Sequence, residues 1–572
     1  DGGIALNGGA GSTLSLVTTA DRVRMNGIVE LQSDVWIDTS DAGTASGAEI
    51  RFTQIATIDS EPGEANGLTL SAGIDGVVDF NADIGTVAAL GHLIVTEALG
   101  VALGSGSNLS DADLGPVTAV WVDGDAPADA SYALDIGSVS AIGAGGIVLD
   151  GGGPGSLISL FTTADGVHLN GAVRLRSDAL IDTTGEGIET TGADILVEGT
   201  IDGTAAGAEG LTLISHTGAI TVTGSVGAET PFDTLTLQDD LPDSTGPAVF
   251  LGEVHANALA TFGQEYLVAL LGGGSVEDAV EFLNTGGVTL GDTPEDDLTF
   301  GQGATSIASE TSLGGTIRAL DQDIQFAAVH VIADTRLVTA GGNIGFAGPI
   351  DSDVGEHFDL EIAAGSGVVE FNGDIGNTWP LNRLVVDSAD SVVFGGSSPL
   401  SVVTADGGID LGRMSAVASG IFLNGGSGGE LTVGTSGGVI RFNGAVTLQS
   451  DVVIDTTVDG EPLGADICFT LHAPINSDAG QLARLTLTAG DEGAVCFNAN
   501  IGDGSLGTGE PLKQLIVTAA KGVVFGNDGA ADDPDLAPVT LVRIDGDPLA
   551  LDAFAIDLGS VTPIGDDGVV AN

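Results

Sequence analysis

The sequence NGIVELQSD at residues 26–34 returns as NGAVTLQSD at residues 443–451. Val29 and Leu31 alternate with polar residues, which is the two-residue period of a β-strand and not the period of a helix. An Asn-Gly pair opens each copy and a Ser-Asp pair closes it, as is typical of turns between short strands. The chain is therefore expected to consist of short β-strands that recur over a long distance.

A longer repeat surrounds this segment. A glycine followed by an apolar run and a turn occurs at residues 2–7, 145–150, 286–291, 419–424 and 567–572, so that the last residues of successive copies are 143, 141, 133 and 148 apart. This spacing predicts one continuous body of four blocks, with bounds at 1–149, 150–290, 291–423 and 424–572. The repeat has the same phase at both ends. We therefore expect coil stacking to continue in a longer protein or in subunits joined head to tail.

A second signature lies late in each block. It reads FNADIG at 80–85, FNGDIG at 371–376 and FNANIG at 497–502, with a weaker form, VTGSVG, at 222–227. Short strands with Gly and Asn turns between them favour an all-β chain folded as a right-handed parallel β-helix, or β-solenoid, whose inward residues form apolar ladders. At ~4.8 Å per coil, four blocks of roughly six coils predict a rod of about 115 Å. The alternative is a row of β-sandwich domains, but the three tryptophans lie at unrelated repeat positions.

One segment departs from the strand pattern. Ser275 is a suitable helix N-cap, acidic residues follow it, and the apolar residues up to Leu283 have helical spacing. This pattern predicts one short helical excursion near residues 257–284, acting as a loop that shields the core or as a knob that binds a partner.

Composition limits the classes of partner. The 572 residues contain 14 Lys plus Arg and 80 Asp plus Glu, so the formal net charge is −66. Phosphates would be repelled, which argues against nucleic acid and against anionic membrane surfaces, whereas divalent cations would be attracted. A hydrophobic fraction of 43% and a mean hydropathy of +0.34 argue against disorder. No apolar stretch reaches ~18 residues, so no membrane span is expected.

The two cysteines occupy matching positions. Cys468 and Cys496 each lie between two apolar residues, and the first block has Arg51 and Asp79 at the equivalent positions, with the same spacing along the chain. In consecutive coils such residues would lie ~4.8 Å apart, within reach of a disulfide or of an Arg–Asp ion pair. The sequence predicts an outward-facing Cys468–Cys496 disulfide and an oxidising, extracellular location. The alternative is two free thiols in a cytosolic protein.

No catalytic constellation stands out. The seven histidines are scattered through the repeats, and bases for a lyase are scarce, so no catalytic or cofactor-binding residue is expected and a polysaccharide-active enzyme is disfavoured. The best metal candidate is a repeated Asp-Gly-Asp turn with a third aspartate ten residues later. It predicts Ca²⁺ ligands at Asp123, Asp125, Asp135, Asp545, Asp547 and Asp557. The alternative is a solvated turn before a strand.

The pattern Val-x-Phe-Asn-x-x-Ile-Gly, followed by Leu-x-x-Leu-x-Val and Val-x-Phe-Gly-Gly, resembles the large repetitive exoproteins of bacteria. These are the filamentous-haemagglutinin-like giant surface adhesins. The resemblance implies a secreted parallel β-helix that acts in adhesion or as a cell-surface fibre. We therefore expect a non-enzymatic structural module outside a bacterial cell, a stiff acidic solenoid that stacks into a stalk or filament. The alternative is an adhesin that binds glycans or other surface ligands through side loops. The expected partners are copies of the chain or further repeats of it, divalent cations and glycans.

Overall fold

A computed structural model describes the chain except for residues 1, 2, 10, 44, 45, 105–112, 125–130, 190, 397–399, 401, 427, 428, 459–461, 505–508, 527–535, 546–553 and 572. The described residues are all-β, without an α-helix. They form two compact units, residues 1–289 and 290–572. This boundary falls within one residue of the one predicted between the second and third blocks, while the division into four blocks and their continuity stay predictions.

The first unit consists of short strands joined by turns. Its strands are β1 (Ile4–Leu6), β2 (Leu14–Val17), β3 (Val23–Met25), β4 (Val29–Leu31), β5 (Val35–Asp38), β6 (Ile50–Phe52), β7 (Ile58–Ser60), β8 (Leu68–Phe80), β9 (Leu93–Leu103), β10 (Ala119–Val122), β11 (Leu134–Ile136), β12 (Gly146–Leu149), β13 (Leu157–Thr162), β14 (Val167–Leu169), β15 (Val173–Leu175), β16 (Asp178–Asp182), β17 (Ile195–Val197), β18 (Ile201–Asp202), β19 (Leu211–Ile214), β20 (Ile220–Val222), β21 (Phe232–Leu237), β22 (Ala248–Phe250), β23 (Val254–Ala260), β24 (Val268–Leu270), β25 (Gly274–Val276) and β26 (Val280–Glu281). The unit boundary falls inside β27 (Val288–Leu290).

The second unit is built in the same way. Its strands are β28 (Asp297–Phe300), β29 (Ala304–Ser306), β30 (Thr311–Ala319), β31 (Ile324–Phe326), β32 (Val329–Thr339), β33 (Ile344–Phe346), β34 (Ile350–Ser352), β35 (Leu360–Ala363), β36 (Val368–Phe371), β37 (Leu381–Ser388), β38 (Ser391–Phe394), β39 (Val402–Leu411), β40 (Val417–Leu423), β41 (Glu430–Thr435), β42 (Val439–Phe442), β43 (Gly444–Leu448), β44 (Asp451–Asp455), β45 (Ile467–Phe469), β46 (Ile475–Ser477), β47 (Arg484–Thr488), β48 (Ala494–Phe497), β49 (Gln514–Ala519), β50 (Gly522–Phe525), β51 (Ile556–Leu558) and β52 (Gly568–Ala571).

Within each unit a strand pairs in parallel with the equivalent strand of the next coil, and this confirms the parallel β-helix over a row of antiparallel sandwiches. One stack of the first unit runs through β2, β5, β8, β9, β11 and β14. Coils of different length share one interior. A short coil separates the register partners Ile317 and Leu337, whereas a clearly longer coil separates the partners Leu411 and Phe442.

The interior contains the apolar ladders that the strand period predicts. Phe52 and Phe80 stack with ring centroids 5.2 Å apart. In the second unit one ladder consists of Phe326, Phe346, Phe371 and Phe394, and another of Phe442, Phe469, Phe497 and Phe525. Each ring packs on the ring of a neighbouring coil, so burial and stacking stabilise the same contacts.

The repeated Phe-Asn-x-x-Ile-Gly signature has a structural reason. Asn81 follows the buried Phe80, and its Nδ2 donates to the carbonyl of Phe52 in the preceding coil at 2.9 Å. Gly85 has a φ of +69°, and a Cβ there would lie 2.2 Å from the carbonyl oxygen of Trp121. Both the positive φ and the close approach of the next coil therefore require glycine.

The helical excursion expected near residues 257–284 is wrong. Strands β23 to β26 cover this segment, with Val254 paired to Gly274 and Ala256 to Val276. Tyr266 and Phe282 are buried in the interior like the residues of the other coils. In the folded chain, alternate residues of this segment point into the interior and pack against the neighbouring coils. This tertiary packing outweighs the local helical propensity of the sequence that begins at Ser275.

Candidate functional site

A recess lies on the outer surface of the first unit, over the stack that contains β5, β8, β9, β11 and β14. The outward residues of this stack are in register from coil to coil, in the order Ser15, Trp36, Thr69, Ile94, Asp135 and His168. Two adjoining cavities of about 540 and 600 Å³ lie along this row. They share Thr13, Thr69, Thr96 and Val139 as lining residues, so they form one elongated recess.

Two aromatic rings in the recess lie on glycines. A Cβ on Gly67 would lie 1.8 Å from the ring of His92, and a Cβ on Gly166 would lie 2.6 Å from the ring of Tyr132. Each ring therefore occupies space that only a glycine in the neighbouring coil leaves open. Burial raises the pKa of the Tyr132 hydroxyl, with the nearby carboxylates adding to the effect, so this group stays a neutral hydrogen-bond donor.

His168 is buried between two carboxylates. Its Nδ1 donates to Asp135 Oδ1 at 2.9 Å, and its Nε2 lies 3.4 Å from Glu198 Oε2. Burial lowers the pKa of His168, but the hydrogen bonds and charges of Asp135 and Glu198 raise it by more, so that it lies above its usual value. The ring of Tyr132 lies 5.0 Å from that of His168. These contacts fix the end of the recess by charge-assisted hydrogen bonds.

The other end of the recess is formed by Trp36 and the turn that follows it. The carboxylate of Asp38 accepts hydrogen bonds from the backbone N–H and the hydroxyl of Ser40 and from the N–H of Ala42, each at 2.7 Å. Asp182 holds the equivalent turn of the next block through Thr184 in the same way. The turn beside Trp36 is therefore held by side-chain hydrogen bonds, and the half-buried Trp36 lines the recess next to it.

Carboxylates outnumber basic groups in the recess, where His168 is the partner of Asp135. Carboxylates of Asp34, Asp38, Glu97 and Asp135 line it, and none of the described lining residues is Lys or Arg. The sequence itself contains no Lys or Arg between Arg51 and Arg174. Anionic ligands would therefore meet an excess of carboxylates, whereas neutral or cationic ligands would not be repelled.

The predicted calcium ligands are not brought together in the part of the chain that the structure describes. Asp123 is exposed after β10, Asp135 is 5% exposed and bonded to His168, and Asp545 lies 3.9 Å from Arg543. Asp557 is half-buried in β51, while Asp125 and Asp547 lie outside the described residues. No group of three or more His, Cys, Asp or Glu among the described residues could hold a metal ion. Calcium binding stays a prediction.

The cysteine pair lies where its spacing predicts. Cys468 and Cys496 are register partners on β45 and β48, half-buried, with their apolar neighbours pointing inward. The structure contains two thiols in hydrogen-bond contact, which raises the pKa of Cys468 and lowers that of Cys496. The disulfide therefore stays a prediction. At the equivalent positions the Arg51 guanidinium donates to Asp79 at 3.0 Å, so the ion pair expected there is confirmed.

Sequence reasoning missed the recess because its residues are far apart in the chain. His92 and His168 look scattered along the sequence, although His92 directly precedes Leu93, His168 directly follows Val167, and both Leu93 and Val167 are register partners of Leu134 in one stack. An alignment of the sequence coil by coil on its buried strand residues would have placed these histidines in one stack.

Comparison with known proteins gave no match to a protein family, a curated protein or a solved structure. Among the described residues there is no helix long and apolar enough to cross a membrane.

Proposed function

We propose that the chain is a structural module of an extracellular fibre or stalk on a bacterial cell surface, with a mechanical and not a catalytic role. The observation that carries this proposal is the in-register parallel stacking within each unit, because such a stack resists bending through backbone hydrogen bonds and interior contacts that run from coil to coil. The stacked phenylalanines of the second unit are part of this interior.

The outer surface supports the same proposal. A net charge of −66 keeps neighbouring fibres apart and soluble. The short strands leave many outward positions to small polar side chains, such as Ser15 and Thr69 in the row described above. Cys468 and Cys496 are in register, and their oxidation would provide a covalent link between coils in an oxidising exterior. The resemblance to the large repetitive exoproteins points to the same location.

Filament formation is the measurable consequence. A parallel β-helix presents strand edges at its ends, and these edges can pair with another copy. Negative-stain electron microscopy and light scattering of the purified chain should show end-to-end oligomers whose length grows with concentration. Protease accessibility on intact cells of the source should place the chain outside. A monodisperse short particle at all concentrations, or protection from protease until lysis, would contradict the proposal.

A further inference from the structure

We propose that the recess of the first unit binds a saccharide chain that carries no acidic groups. The recess combines the two kinds of contact that a sugar ring needs. Aromatic faces pack against the C–H face of the ring, and short polar side chains bond the hydroxyls at its rim. Trp36, His92 and Tyr132 supply the aromatic faces. The recess has a binding role in addition to the mechanical role of the fold.

The length of the recess fits a chain and not a single ring. Trp36 and His168 are four register steps apart in one stack. At ~4.8 Å per step this is about 19 Å along the solenoid axis. The adjoining cavities follow the same row, so an oligosaccharide would lie across successive coils and contact both ends at once.

The polar lining matches sugar hydroxyls. The Ser and Thr residues that line the recess are Thr13, Ser15, Ser40, Thr69, Ser71, Thr96, Ser131 and Ser138. A hydroxyl side chain both donates and accepts, so it can bond a sugar hydroxyl in either sense. The neutral Tyr132 hydroxyl adds a donor beside the Asp135–His168 pair.

The aromatic platforms are built before any ligand arrives. Gly67 and Gly166 leave space that the rings of His92 and Tyr132 fill, and the Asp135–His168 hydrogen bond holds the neighbouring wall. A pre-formed site loses little conformational entropy on binding. The arrangement is therefore suited to recognition by a rigid surface.

Charge decides which saccharides fit. Asp34, Asp38 and Glu97 line the recess with no Lys or Arg among its described residues, and the fourth carboxylate, Asp135, is paired with His168. Uronate or sulfated chains would be repelled, and neutral or amino-bearing chains would be accepted. An amino group would gain from both the carboxylates and the aromatic faces.

Isothermal titration calorimetry of the full chain tests the proposal with four pentasaccharides: glucose, N-acetylglucosamine, glucosamine and galacturonic acid oligomers. We expect at least one of the first three to bind and the galacturonate not to bind. Trp36→Ala and Tyr132→Ala should each weaken binding roughly tenfold. The control Trp379→Ala, a half-buried tryptophan of the second unit, should leave affinity unchanged.

A glycine pair provides a second, subtler test. Gly166→Ala should displace the Tyr132 ring and reduce affinity, whereas Gly210→Ala should have no effect, because its nearest neighbour would be 3.6 Å away. Hydrogen-exchange mass spectrometry of the unmodified chain, with and without ligand, locates the binding site independently of any substitution. Saturating ligand should protect segments 34–38, 69–71, 92–97, 131–139 and 167–169, which line the recess. The proposal is overturned if none of the three non-acidic oligomers binds, if galacturonate binds more tightly than they do, or if protection falls outside these segments.

Discussion

Removing one ring from the middle of the phenylalanine ladder is the sharpest test of the stacked core. Phe371 is 0% exposed and stacks on Phe346 and Phe394 with centroids 5.2 and 4.9 Å apart. Truncation of a buried phenylalanine to alanine costs about 3–5 kcal/mol. An aromatic pair adds about 0.5–1.5 kcal/mol beyond the area that it buries. Phe371→Ala should therefore fall at the upper end of the range.

Phe326 provides the matched comparison. It is equally buried, but it is the first ring of the same ladder, where it contacts Phe346 at 5.9 Å with the planes tilted by 31°. Phe326→Ala removes the same atoms and one weaker ring contact in place of two. Its cost should be lower than that of Phe371→Ala by about 0.5–1.5 kcal/mol.

Hydrogen-exchange mass spectrometry of the full chain measures this difference. Stacked coils do not always unfold in a single step, so the free energy of local opening is more informative than one global transition. Exchange should accelerate most in β33, β36 and β38, with urea unfolding as a second measure. Equal costs for the two variants would refute the additive stacking argument. Acceleration confined to distant coils would refute the assignment of the ladder.

Two further outcomes follow from the described contacts. Non-reducing peptide mapping of the chain isolated from its native source should recover Cys468 joined to Cys496. Reduction should lower stability by up to about 3–4 kcal/mol for a closed loop of this length. Recovery of both cysteines as free thiols would show that the pair is not oxidised. Because the pKa of His168 is raised in the folded chain, its contact with Asp135 should stabilise the fold most below the ordinary histidine pKa of about 6.5 and lose that effect as pH rises through the raised value. The stability difference between the unmodified chain and His168→Gln should accordingly be larger at pH 5.5 than at pH 8.5, and an equal difference at both would contradict this account.

The fold can be predicted from the sequence because each coil of a β-helix repeats the local geometry of the one before it. The two-residue period, the Gly and Asn turns and the matched frames of Cys468 and Cys496 all describe that local geometry. The helix predicted after Ser275 is wrong for the opposite reason. Its spacing is a local preference, and the interior positions of Tyr266 and Phe282 belong to the tertiary ladder.

The recess could not be predicted from the sequence in the same way. Asp135 is a predicted calcium ligand, yet its carboxylate bonds His168 in the next coil of the stack. Coils of unequal length hide such partners, because no fixed spacing connects them. Tyr132 and Val139 enter the recess from turns, whose path the strand period does not describe.

Unequal coils also have a consequence for how such a chain can change. The pairs Ile317–Leu337 and Leu411–Phe442 keep one register although the second pair encloses a much longer coil. The additional residues lengthen a turn on the surface, and the next strand pairs in the same register as before. The entropic cost of closing such a loop rises only slowly with its length. The exposed turn at Gly480, where a Cβ would meet nothing within 4 Å, is a site at which residues could be inserted. Insertions there would diversify the exterior while the interior is inherited intact, so the molecule is a natural scaffold for grafting foreign loops.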